Sequence, residues 1–254
     1  MIVLDEKLFY TLSLLSMIFA AANPFISAYV QSDWFGKAIF WGLFTTSALC
    51  WIVILYKTWE LWAVRKLSAQ FSAHFAEKKE DPLNLQFTRP SWGRIAEVPH
   101  PLFEIYRAVK QQTLQIISRN HLTSAQPPLL SPADLEIIEA QVSLAISSAG
   151  KKLEKHLFVL STIVTLAPFL GLLGTVWGIL LTFAQLQAGF QGNNSAMLTG
   201  LSMALATTVI GLVVAIPALI GYNYLKNAGR ETRRDMEEFS HSLLTSIELQ
   251  YRRG

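Results

Sequence analysis

The chain has 254 residues, 52% of them hydrophobic and only 15% charged, with a net charge of +3 and a single cysteine, Cys50. That much apolar surface exceeds what one water-soluble core of this size buries, so composition points to a membrane protein. The small net charge, with bases interspersed among acids, argues against a nucleic-acid surface, and one cysteine excludes a disulfide framework or a cysteine-based metal centre.

The run Leu8 to Ala22 is short and apolar, follows Asp5, Glu6 and Lys7, and closes on Ala20-Ala21-Ala22 before Asn23-Pro24. Residues 1–22 therefore read either as a signal-like leader or as an extra membrane helix. Ala38 to Tyr56, AIFWGLFTTSALCWIVILY, is uncharged over the length a bilayer core requires and predicts an outer transmembrane helix at 38–56.

Residues 57–156 are polar enough for water. Glu60 to Glu80 is rich in helix formers and continues the outer span. Pro82, Pro90, Pro99 and Pro101 then break the pattern before a helical segment around Phe103 to Arg119, bounded by Gln126-Pro127-Pro128. Ser131-Pro132-Ala133-Asp134 supplies an N-cap, a proline at the first helical position and an acid at the third. With no breaker before Gly150, the pattern predicts one long helix from Pro132 into the membrane.

Leu157 to Gln187 and Leu198 to Leu225 are uncharged and predict an inner pair of spans at 157–225, joined by the short loop 188–197. The last helix continues through 226–254 toward Gln250. Lys57, Arg65 and Lys66 follow the first span, Lys151, Lys152 and Lys155 precede the second, and Lys226, Arg230, Arg233 and Arg234 follow the third, whereas 188–197 has no charge. The positive-inside rule places the middle region and the C-terminus in the cytoplasm, and 188–197 and 23–37 outside. The expected class is an all-α integral membrane protein with three core transmembrane helices, plus the leader or fourth helix, and two long helices reaching into the cytoplasm.

The inner spans carry small residues at helical spacing: Ala167, Gly171, Gly174 and Gly178 on one, Ala204, Thr208, Gly211 and Ala215 on the other. Such faces let a neighbouring backbone approach closely. Thr175, Thr207 and Thr208 add hydroxyls. A membrane threonine commonly donates to a carbonyl one turn back, so these also have a purely structural reading. Pro168 and Pro217 are expected helix kinks, each leaving the carbonyl of Val164 or Val213 without its usual donor.

Neither span contains Asp, Glu, Lys, Arg or His, so a proton relay here needs a carboxylate brought by a partner. His74, His100, His121, His156 and His241 are scattered, no H-E-x-x-H exists, and the glycines near Gly171 lack the Lys-Ser/Thr of a phosphate loop. The sequence predicts no enzyme, no cofactor and no metal. Without an internal repeat, a solute transporter is disfavoured, while a passive scaffold for a partner protein uses the same smooth faces and stays open.

APFLGLLGTVWGI at Ala167 to Ile179, with GLSMALATTVIGLVVAIPALIGYN at Gly200 to Asn223, resembles the paired signature of the TolQ/ExbB proteins, relatives of the flagellar stator subunit MotA. The resemblance implies an inner-membrane pentamer around the single membrane helices of a TolR/ExbD-like dimer, coupling the proton-motive force to a TolA/TonB-like envelope protein. It also implies a periplasmic amphipathic segment at 23–37 and places the two family threonines at Thr175 and Thr208. One departure stands out: Met203 occupies a position where TolQ and ExbB commonly carry glutamate.

Overall fold

The computed structural model describes residues 24–77, 83, 100–123, 130–187 and 194–251. The leader-like run, most of the proline-rich stretch after Glu77, Gln126-Pro127-Pro128 and the greater part of the loop 188–197 lie outside them. Six helices follow in chain order: α1 Pro24–Gln31, α2 Trp34–Glu77, α3 Pro101–Thr123, α4 Pro132–Glu154, α5 Leu157–Gln187 and α6 Asn194–Tyr251. No strand occurs among the described residues, and α2, α5 and α6 are each long and apolar enough to cross a bilayer. The protein is an all-α integral membrane protein.

The chain divides into two compact units, Met1–Ile54 with Val159–Tyr222 and Leu55–Phe158 with Asn223–Gly254. In the first, small residues line the inner faces of α5 and α6, with Phe40, Leu43 and Leu160 buried beside them. Ala167, Ala204, Ala206, Ala215 and Ala218 are buried, while Trp41, Phe44, Phe169 and Val213 are each at least 60% exposed. So large an apolar exterior is what a surface facing lipid or other membrane helices presents.

The second unit has the opposite arrangement. Phe71 is fully buried and packs edge-to-face against His100, Phe103, Tyr106 and Phe239, drawing α2, α3 and α6 around one aromatic centre. Along α6, Leu225, Ala228, Thr232, Met236, Phe239, Leu243 and Ile247 are buried at spacings of three or four, one continuous inward stripe. Ion pairs such as Arg65 with Glu231 (2.5 Å) and Lys152 with Glu104 (2.8 Å) lie on the surface.

The N-terminus of α4 is a capping box. Asp134 N donates to Ser131 Oγ (3.2 Å), Ser131 N donates back to Asp134 Oδ2 (3.0 Å), and Pro132 occupies the first turn. Burial pushes the Asp134 carboxyl up, but hydrogen bonds from Ser131 and Asn120 and the charge of Arg119 outweigh it. Its pKa lies below the ordinary aspartate value.

The expected continuous helix from Pro132 into the membrane is not what forms. It stops at Glu154, and α5 starts at Leu157 after a turn in which His156 adopts a left-handed φ of 74°. The break has a partner distant in sequence. Lys57, only 2% exposed, pairs with Glu60 at 2.6 Å and donates to Leu153 O at 3.2 Å, satisfying a carbonyl in the last turn of α4. Without Gly or Pro at the turn, local pattern carried no sign of it.

Candidate functional site

The seam between α5 and the apolar part of α6 is built from backbone contacts. A Cβ added at Gly178 would lie 2.5 Å from Gly200 O, one at Gly211 2.7 Å from Ala167 O, and one at Gly171 3.0 Å from Thr207 O. A Cβ at Gly174 would overlap the Thr207 side chain. Each glycine is therefore required by the approach of the opposite helix, as in small-residue membrane packing generally.

Hydroxyls line this seam in three ways. Thr207 is fully buried, and its Oγ1 has Ala204 O (2.9 Å), Met203 O (3.0 Å) and Gly171 O (3.5 Å) as acceptors for its one proton. Thr208 is half-buried and donates across the seam to Gly171 O at 3.3 Å. Thr175, also half-buried, donates within its own helix to Leu172 O at 2.7 Å. The structure thus brings Thr207 and Thr208 together on one carbonyl, that of Gly171, and leaves Thr175 to its own helix. Ala167, Ala204 and Ala215 are buried. Pro168 and Pro217 are accommodated inside unbroken helices.

Three further participants escape sequence reasoning. Thr182 Oγ1 donates to Gly178 O at 2.9 Å and fills the space beside Gly200. Trp177 Nε1 donates to both carboxylate oxygens of Asp33, at 3.2 and 3.1 Å, and its ring packs against Phe35 with centroids 4.5 Å apart and planes tilted by 53°. Asp33 caps α2, accepting from Gly36 N at 2.9 Å. Met203, 1% exposed, reaches the space left by Gly36, where a Cβ would also meet Asp33 Oδ1 at 2.9 Å. Apart from the N-cap signal of Asp33, nothing local marks these contacts, because Asp33 and Trp177 are 144 positions apart.

Residues 109–238, just over half the chain, match the MotA/TolQ/ExbB proton channel family. The chain belongs to this family. The matched stretch contains both faces of the seam and every hydroxyl on it. Among similar proteins, the biopolymer transport protein ExbB of Neisseria gonorrhoeae is 27% identical over 198 residues, 78% of this chain and 84% of that protein. ExbB of Aquifex aeolicus is 45% identical over 87 residues, 34% of this chain and 59% of the relative. The Tol-Pal system protein TolQ of Pseudomonas aeruginosa is 40% identical over 98 residues, 39% of this chain and 42% of its own length. Identity is thus highest over the shorter alignments. The family is one of proton channels, and this member is a multi-pass membrane protein.

Proposed function

We propose that the chain is an energy-transducing subunit of a bacterial inner-membrane motor, TolQ- or ExbB-like, with 57–156 and 226–254 in the cytoplasm and 188–197 outside. Several copies, five by the family resemblance, surround the membrane helices of a TolR/ExbD-like partner, whose carboxylate carries the proton. Movement is passed to a TolA/TonB-like envelope protein. The observation that carries this reading is the seam itself: in a member of a proton channel family, the side chains that hydrogen-bond along and across it are the hydroxyls of Thr175, Thr182, Thr207 and Thr208. Thr175 and Thr208 border it without being fully buried. They can hydrogen-bond or hydrate a carboxylate that the chain does not supply. Each elementary charge crossing 100 mV releases about 2.3 kcal/mol, so a few protons suffice for a conformational step.

A scaffold reading has one observation in its favour: Thr207 and Thr208 already have acceptors within the chain, as structural membrane threonines do. The double variant Thr175→Val and Thr208→Val separates the two. Valine keeps the branched shape and removes the hydroxyl. Crosslinked oligomers should be unchanged and proton-dependent envelope function lost. Full function would leave the scaffold.

A further inference from the structure

Among the described residues of the apolar unit, Asp33 and Lys37 are the only members of the set Asp, Glu, Lys, Arg and His. Asp33 does not stand free. Its carboxylate accepts from the Trp177 indole through both oxygens and from Gly36 N, and Met203 packs into the adjoining space. A second polar link lies close by in sequence, Thr199 Oγ1 donating to Gln31 Oε1 at 2.8 Å. These contacts tie the junction between α1 and α2 to α5 and α6.

Helical geometry gives the link a consequence. Trp177 follows Thr175 by two residues, about 200° around the helix, while the glycine face that meets α6 lies between them. Thr208 follows Met203 by five residues, about 140° around α6. Trp177 and Met203 therefore occupy the edge of the seam held by Asp33, and Thr175 and Thr208 point toward the other edge. The glycine face of α5 offers little side-chain relief of its own to resist rotation against α6. The indole bonded to a carboxylate provides that resistance, and charge-assisted hydrogen bonds are the stronger kind.

We infer that Asp33 and Trp177 are a positioning pair: they set the rotation of α5 so that Thr175 faces the edge open to a partner helix. The inference rests on the proton-path reading for its functional meaning. Its test does not. In a Cys50→Ala background, the reaction rate of Thr175→Cys with a methanethiosulfonate reagent reports the rotation of α5 directly. Trp177→Phe keeps an aromatic ring against Phe35 and removes the donor. It should change that rate by about tenfold, the scale of one lost hydrogen bond to a charged group, with oligomer size unchanged. Asp33→Ala should do the same, whereas Asp33→Asn, which retains one acceptor oxygen and the cap but not the charge, should give a rate between that of Asp33→Ala and the parent. Parent rates in Trp177→Phe would overturn the inference, and that variant decides alone if Asp33→Ala fails to insert. Full envelope function in the double-valine variant would sink the proton reading and leave this rate unaffected, so the two ideas fail separately.

Discussion

The two units solve packing in opposite ways. In Leu55–Phe158 with Asn223–Gly254, aromatic and aliphatic side chains are inside and ion pairs outside. In Met1–Ile54 with Val159–Tyr222, alanine, glycine and threonine line the seam between α5 and α6, and large apolar side chains such as Trp41, Phe44, Phe169 and Leu172 face outward, although Phe40, Leu43 and Leu160 are buried. Water rewards burial of large apolar groups. Lipid gives no such reward, so close backbone approach and hydroxyl-to-carbonyl bonds hold helices together instead. On the proposed function the difference matters, because hydroxyls beside the seam can donate to a carboxylate that the two inner spans themselves lack.

The comparison predicts that the same kind of change acts differently in the two units. Phe71→Ala removes the aromatic centre and should cost about 3–5 kcal/mol, read as a lowered thermal midpoint or early proteolysis within 55–158. Loss of less than one such unit would mean that the rings are peripheral. The membrane unit should respond to enlargement rather than truncation. Gly174→Leu collides with Thr207 and should cost about 1–3 kcal/mol, seen as heat-labile assemblies in detergent, whereas Leu172→Ala on the exposed face should change little. Equal effects of the two would erase the distinction between seam and exterior.

A smaller effect is expected at the α4 cap. Asp134→Ala should cost about 1 kcal/mol. Because the folded pKa is depressed, the contribution of the ionised carboxylate is complete above the unfolded value of about 3.9 and is lost as pH falls through the folded pKa. Acid titration of helical content should show the variant less sensitive than the parent below about pH 4. Identical acid profiles would remove Asp134 from the cap.

What was legible in the sequence follows from the range of each interaction. The Ser131-Pro132-Ala133-Asp134 cap and the glycine spacing from Gly171 to Gly178 are written within one or two turns, so periodicity and capping rules reach them. The Asp33–Trp177 bond, the Lys57 contact with Leu153 O and the turn at His156 depend on residues brought together from far apart, and no local pattern encodes them. The uncharged inner spans were equally plain. What spacing alone could not reveal is that Met203 turns toward Gly36 and Asp33, or that Thr207, rather than Thr175, is the fully buried hydroxyl.

The central claim is that the half-buried hydroxyls beside the glycine seam serve proton passage while the buried one serves packing. Proton uptake by proteoliposomes holding the chain with its single-span partner, under an imposed potential, tests this most directly. We expect Thr175→Val with Thr208→Val to abolish uptake at unchanged oligomer size, while Thr165→Val, whose hydroxyl bonds Thr162 O on an exposed face, has no effect. Uptake at the parent rate in the double variant would contradict it.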